Sequence, residues 1–357
     1  MSAAARFSPL LANAARGPGF VLTPRGVRLY AWTRFPQGRV DGLLFVWHGF
    51  GAHCSRPPLV ALADRLVAMG VGMVTCDFHG HGRSGGERGT IVAASDLVED
   101  AWSVLEAVYS PRTGQAGGLG LEAQQVGALP FAMLGHSMGG AVAARVVAAL
   151  EARNPPWAAL FRGTVLIAPM FDIPTPPPPV LWFARQCVAR VIPTFAPPRS
   201  AARLFSTDPR LWTCDTYRLY VQADAFPCNP QGLSWETLPP LRTATVLLDL
   251  SQAAVRADAL RCPVLALHDP DDNCCRVAGT RRFLEACQTP QVDKHLVEVC
   301  GGLHDPLVNE FDRVVGSIVL FLAAYGVSKT PFARPAQGPT VAAVRSLQSA
   351  QGNPYPP

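Results

Sequence analysis

Apolar residues fall into short blocks with two different periods. Between about residues 20 and 34, Val27, Leu29 and Ala31 alternate with Arg28, Tyr30 and Trp32, the two-residue period of paired strands. Leu43–Trp47 and Val71–Cys76 are nearly unbroken apolar runs, too short for helices, and read as buried strands. Phe131–Leu134, Val165–Ala168, Val264–Leu267 and His295–Val299 repeat that pattern. Helical spacing appears over 57–69 through Leu59, Leu62, Leu66 and Met69, and over 94–109 through Leu97, Ala101, Val104, Leu105 and Val108. An alanine-valine stretch running to about Leu150 and a last segment from about Val308 to Ala324 also suit helices. Strands alternating with helices predict an α/β fold, a mostly parallel central sheet with helices on both faces.

The alternation breaks once, between about Pro169 and Arg261. That stretch opens on prolines, Pro174 and Pro176 to Pro179, and continues as helical pieces without clear strands. It predicts an inserted helical cap over 170–260. The expected organisation is a flexible segment over 1–19, a core over 20–169 and 261–326 split by the cap, and a disordered tail over 327–357. The tail is rich in Pro, Ala, Ser and Gln, and residues 110–128, rich in Gly and Gln, read as a surface insertion. No internal repeat is visible.

Composition narrows the classes. The chain has 357 residues, 49% hydrophobic and 16% charged, which excludes a wholly disordered protein. No apolar run reaches the roughly 18 residues that span a bilayer. The net charge of +5 comes almost wholly from scattered arginines, since Lys294 and Lys329 are the only lysines. No basic stripe suits nucleic acid, and none is expected as a partner. Ten cysteines without a CxxC pair suggest thiols in a reducing compartment rather than a disulfide scaffold or a zinc site. Residues 1–40 lack acids and carry Arg6, Arg16, Arg25 and Arg28, a weakly transit-peptide-like composition, but no charged segment followed by an apolar one marks secretion. The expected location is the cytoplasm or a membrane surface, with organelle import the minor alternative.

The chemistry centres on Gly135-His136-Ser137-Met138-Gly139, a G-x-S-x-G between a predicted strand and a predicted helix. A serine hydroxyl is a weak nucleophile, and a sharp strand-to-helix turn presents it to a base and to an approaching acyl carbon. On such a sheet the acid and then the histidine follow the serine in the chain. His304 lies just past the strand ending at Val299, where the base must sit, whereas His295 falls inside the strand pattern and His268 precedes the acid. The loop His268-Asp269-Pro270-Asp271-Asp272-Asn273 offers three aspartates. Asp272 is favoured because the acid needs a few residues to turn under His304; Asp271 is the alternative, and Asp269 suits a loop brace. Backbone N–H groups must hold the oxyanion of the tetrahedral intermediate. Met138, after the nucleophile, is one candidate donor; Phe50, in His48-Gly49-Phe50-Gly51, is the other, with His48 organising that loop.

Five pieces in order, His48 to His53, Asp77 to Gly86, Gly135 to Gly140, the Asp272 loop and His304, resemble the monoacylglycerol lipase-like, or serine aminopeptidase-like, branch of the α/β-hydrolases. The D-x-x-G-x-G-x-S-x-G stretch from Asp77 is especially characteristic of that branch. The resemblance covers roughly residues 20–326 and implies an α/β-hydrolase fold. It implies Ser137 as nucleophile, Asp272 as acid, His304 as base, and Phe50 and Met138 as oxyanion donors. Asp269 departs from the pattern, since the family usually has glycine there. No cofactor or metal is implied; Asp77, His79, His81 and Glu87 suit a structural loop better than a metal site.

The cap should set substrate choice. Over 180–192, Leu181, Ala184, Val188 and Val191 share a helical face that Trp182 and Phe183 widen, while Arg185 and Arg190 are the only charges. That suits a lid over an acyl pocket that also touches a lipid surface, against the alternative of a helix buried on the core. A peptidase reading a free amino terminus would want acids there, and Glu236 is the only glutamate of the cap. The expected activity is hydrolysis of single-chain lipid esters, foremost monoacylglycerol. The alternatives are lysophospholipase, general carboxylesterase or acyltransferase chemistry on the same triad, and a non-catalytic lipid- or partner-binding protein. Cys54, Cys274, Cys275 and Cys300 fall in loops near the predicted site.

Overall fold

A computed structural model describes residues 18–110, 127–175, 177–188, 191–192, 195, 225–226, 234–235, 239–256 and 260–329. Expectations for most of the N-terminal segment, the 110–128 insertion, much of the cap and nearly all of the tail lie outside them. The chain opens with β1 (Pro18–Leu22), β2 (Arg28–Arg34) and β3 (Gly42–Trp47), then α1 (Pro57–Val67), β4 (Val71–Cys76) and α2 (Ala94–Tyr109). Next come β5 (Phe131–His136), α3 (Met138–Arg153), a 3-10 turn over Pro156–Leu160 and β6 (Phe161–Ile167). The inserted stretch holds α4 (Pro178–Phe183), a π turn over Ala184–Val188, and the two-residue strands β7 (Ala225–Phe226) and β8 (Ser234–Trp235), followed by α5 (Leu241–Val255). The chain ends in β9 (Val264–His268), α6 (Val277–Ala286), β10 (Lys294–Glu298), α7 (Pro306–Asn309) and α8 (Phe311–Ala324).

Eight strands form one sheet in the order β1-β2-β4-β3-β5-β6-β9-β10. β1, β2 and β4 pair antiparallel in succession, and every pair from β4 to β10 is parallel. The expected mostly parallel sheet is therefore present, and the fold is that of an α/β-hydrolase. Strand alternation divides the core. Leu43, Phe45 and Trp47 point to the layer with α2, α3, α5 and α6, while Leu44 and Val46 face α1 and α8. Strands buried on both faces need no polar positions, which is why they read as short apolar runs. The order reverses between β3 and β5, and the loops beyond β3, β5, β9 and β10 emerge at one edge, where such sheets place their sites.

Three boundaries differ from the sequence reading. The last helix is two, α7 and α8, because the chain turns at Glu310 while the Asn309 side chain donates to the Gly302 carbonyl. Val327 and Ser328 are buried, and Ser328 Oγ donates to the Met69 carbonyl at 3.0 Å, so the chain stays on the core past residue 326. Within the expected cap range, α5 packs in the core layer through Val246, Leu247, Leu250 and Ala254. Thr243 pins it by accepting from the Ile91 N–H and donating to the Gly89 carbonyl. The β7–β8 pair is the only strand structure among the described residues of the insertion.

Candidate active site

Ser137 occupies the single residue between β5 and α3, with φ 53° and ψ −118°. Side-chain-bearing residues rarely adopt that region, and holding one there costs about 1–3 kcal/mol. The surroundings enforce it. The Ser137 N–H donates to the Ile167 carbonyl at 3.0 Å, and the Ser137 carbonyl accepts from Gly140 and Met170 N–H groups at 2.9 Å each. A Cβ on Gly135 would fall inside the Gly139 carbonyl, and one on Gly139 inside the Trp47 carbonyl. Glycine on both sides of the serine is thus a requirement of backbone crowding.

His304, in the loop after β10, places Nε2 3.0 Å from Ser137 Oγ. Its Nδ1 lies 2.9 Å from Asp272 Oδ2 in the loop after β9. Burial works against a charged Asp272, but the His304 ring, hydrogen bonds from His268 and His304, and the Cys275 N–H outweigh it and hold the carboxyl well below the usual carboxylate range. Asp272 is therefore an acceptor, His304 Nδ1 donates to it, and Nε2 is left to accept a hydrogen bond from the Ser137 hydroxyl. Asp271 is exposed, with its N–H on Asp269, and Asp272 alone of the three aspartates reaches His304 through its carboxylate.

The loops carrying Asp272 and His304 are braced at several points. Asp269, almost wholly buried, accepts from the Asp271 N–H through Oδ1 at 2.8 Å and from the Leu303 N–H through Oδ2 at 2.7 Å. One carboxylate thus ties the Asp272 loop to Leu303, which precedes His304 and itself sits at φ 48°. Two residues that the sequence reading left without a role join this frame. His268 Nε2 donates to the Cys275 carbonyl at 2.7 Å and approaches Asp272 Oδ2 at 3.2 Å, while Nδ1 accepts from Thr280. His136 Nε2 donates to the His304 carbonyl at 2.9 Å, and burial lowers its pKa to about 4, so it is neutral near pH 7. The signal for His268 was present: a polar ring closing an apolar strand needs buried partners. Arg56 and Asp305 form a buried ion pair at 2.7 Å, joining the loop after β3 to the His304 loop. Replacing Asp269 with Ala leaves two N–H groups without their acceptor. We expect about 1–3 kcal/mol lower stability by urea unfolding and a fall in kcat of about tenfold. Parental values for both would refute the bracing role.

The loop after β3 runs beside the serine, since a Cβ on Gly49 would stand 3.1 Å from Ser137 Cβ. His48 fixes it: Nδ1 donates to the Gly49 carbonyl at 2.8 Å and Nε2 accepts from the Phe78 N–H at 3.0 Å. Burial, with His81 nearby, pushes the His48 pKa well down, which keeps the neutral tautomer this pairing needs. Asp77 adds a tie, accepting from Cys54 and Arg83 N–H groups at 2.6 and 2.7 Å. His79 Nδ1 pairs with Asp100 at 2.6 Å. The glycine- and histidine-rich loop after β4 is thus a hydrogen-bonded brace under the Phe50 loop. Met138 opens α3, where helix N–H groups have no intrahelical acceptor.

Two adjacent cysteines border Ser137, Asp272 and His304. The Cys275 thiol is buried; burial and then the Asp272 charge push its pKa well up, so it stays protonated. Asp272, Cys274 and His304 bring a carboxylate oxygen, a sulfur and a ring nitrogen within 4.8 Å of one another. Cys54 is buried, with its thiol pKa pushed well up by burial, and Cys300 is exposed.

Residues 38–312 match the family model described as "Serine aminopeptidase, S33". The chain is 29% identical over 288 residues to a monoacylglycerol lipase of Mycolicibacterium smegmatis, covering 80% of this chain and 88% of that one. It is 34% identical to the human monoglyceride lipase over 143 residues, 40% of each chain. Among solved structures it resembles a soluble variant of the Saccharomyces cerevisiae monoglyceride lipase bound to a substrate analogue, with TM-score 0.63, 19% identity and coverage of 88% and 97%. The Paleococcus ferrophilus monoacylglycerol lipase matches at TM-score 0.61 and 22% identity, over 83% and 99%. These two structural likenesses concern the fold; the family match spans more than half the chain. The protein therefore belongs to the serine aminopeptidase (S33) family of α/β-hydrolases, and it is a serine hydrolase of the esterase and lipase kind.

Proposed function

We propose that the protein hydrolyses carboxylic esters of single-chain lipids, foremost monoacylglycerol to fatty acid and glycerol. The observation that carries this reading is the unbroken hydrogen-bond path from Ser137 Oγ through His304 to Asp272. His304 Nε2 takes the serine proton as Oγ attacks the ester carbonyl, and Asp272 stabilises the imidazolium. Phe50 and Met138 N–H groups receive the oxyanion. His304 then gives its proton to the departing glycerol oxygen. A water activated by the same nitrogen cleaves the acyl-enzyme and releases the fatty acid.

The choice of lipid esters is supported by the relatives named monoacylglycerol lipases and by the surface of the insertion. Val180, Trp182 and Phe183 on α4 are 54%, 61% and 57% exposed, and Val191 and Ile192 beyond it are 79% and 51% exposed. That argues against a helix buried on the core and suits peripheral contact with a lipid surface. Among the described residues, no helix is long and apolar enough to cross a membrane. Hydrolysis rates on monoacylglycerol and lysophospholipid of matched chain length test the head-group preference, and faster turnover of the lysophospholipid overturns it. Replacing Trp182 and Phe183 together with Ala should lower the ratio of monoacylglycerol to p-nitrophenyl acetate hydrolysis by about tenfold, through lost apolar contact with the lipid phase. An unchanged ratio would remove the lid from the proposal.

A further inference from the structure

The Cys274 thiol takes no part in the proposed hydrolytic cycle, yet it stands beside it. Its N–H and that of Cys275 both donate to Asp272 Oδ1, at 2.8 and 3.0 Å, which fixes the backbone of residue 274 against the carboxylate. The other oxygen of that carboxylate faces His304. The result is a carboxylate, a thiol and an imidazole whose ligand atoms all lie within 4.8 Å of one another. Asp272 is buried, while Cys274 and His304 are partly exposed, so the group is open to solutes on one side.

This donor set suits thiophilic divalent cations. Zinc binds His nitrogen and Asp oxygen at about 2.0–2.1 Å and Cys sulfur at about 2.3 Å, often with three protein ligands and one open position. Those bond lengths put tetrahedral ligands about 3.3–3.7 Å apart, so closing around an ion needs movements of about 1 Å. Magnesium and calcium prefer all-oxygen sites and are poorly served by sulfur and imidazole.

We propose that Asp272, Cys274 and His304 form an inhibitory site for a thiophilic divalent cation, zinc foremost. The inhibition rests on the triad reading above; the site itself does not. On binding, the Cys274 thiol releases its proton to solvent and the thiolate sulfur donates a lone pair to the ion. If the ion takes His304 Nδ1, the ring proton moves to Nε2, which then no longer accepts from Ser137. If it takes Nε2, the serine loses its base directly. Either route stops acyl-enzyme formation while leaving the fold intact, and a chelator reverses it.

The test uses the full chain freed of metal by chelation, with two readouts. Cobalt(II) replaces zinc as a visible probe and should give a thiolate-to-cobalt charge-transfer band in the parent and in Cys300→Ala. Cys274→Ala and Cys274→Ser, checked for folding by circular dichroism, should lack it. Zinc titrated against p-nitrophenyl ester hydrolysis, with each protein normalised to its own metal-free rate, should inhibit the parent and be reversed by EDTA. The half-inhibiting concentration should rise at least about tenfold in both Cys274 variants. No cobalt band in the parent, or equal zinc sensitivity with and without the Cys274 thiol, overturns the site. A parent that hydrolyses no ester but shows the Cys274-dependent band keeps the site and refutes the proposed function.

Discussion

Ser137→Ala should remove ester hydrolysis almost completely, lowering kcat by at least about 10⁴-fold, with the residue left by oxyanion binding and substrate positioning alone. The size follows from chemistry that has no substitute, because the methyl group supplies no nucleophile and His304 has no proton to take. The fold should survive. The positive φ of residue 137 is held by backbone bonds to Ile167, Gly140 and Met170, none of which uses the hydroxyl. Kinetics on a soluble ester, fluorophosphonate labelling and urea unfolding check the three parts. A variant that keeps more than a hundredth of the parental rate, with parental stability, would place the nucleophile elsewhere. Failure of the parent to label while folded would favour a binding protein on this fold.

Asp272→Asn should lower kcat by about 10³–10⁴-fold, because an amide cannot hold His304 with Nδ1 protonated or stabilise the imidazolium. The amide also places a donor among donors: His268 Nε2, His304 Nδ1 and the N–H groups of Cys274 and Cys275 all point at this carboxylate. Asp271→Asn is the matched control. Its side chain is exposed and only its N–H is engaged, by Asp269, so the rate should stay within about threefold of the parent, as for an ordinary surface change. Equal losses in both variants, or the larger loss at Asp271, would reverse the assignment of the acid.

The sheet was readable because strands buried on both faces become short apolar runs, and β3, β4, β5 and β9 each coincide with one. β6 starts at Phe161, four residues before the apolar stretch that announces it, because Arg162 and Gly163 interrupt the pattern, at a bulge between the pairings of Phe131 with Phe161 and Met133 with Thr164. The serine and the histidine were visible as short motifs at strand ends. What stayed hidden depends on contacts between distant segments. Nothing near Leu303 in the chain announces that Asp269 accepts its N–H, and nothing near Ser137 announces that His136 holds the carbonyl of His304. Asp269 departs from the family pattern in the sequence, but its partner 34 residues away comes only from the fold. Helix α5 lies in the range expected for the cap because nothing in its sequence separates it from the other helical pieces there, and only the packing of Val246 and Leu250 assigns it to a layer.

That packing changes how the insertion is attached. β6, α5 and β9 already make a complete crossover between adjacent parallel strands. The chain between β6 and α5 is then a side branch on a finished connection, and its length enters folding only through the closure of a loop whose ends the crossover holds. Doubling such a loop costs only about 0.6 kcal/mol. The inserted segment can therefore lengthen, shorten or change composition while Ser137, Asp272 and His304 keep their spacing, since all three hang from strands outside the branch.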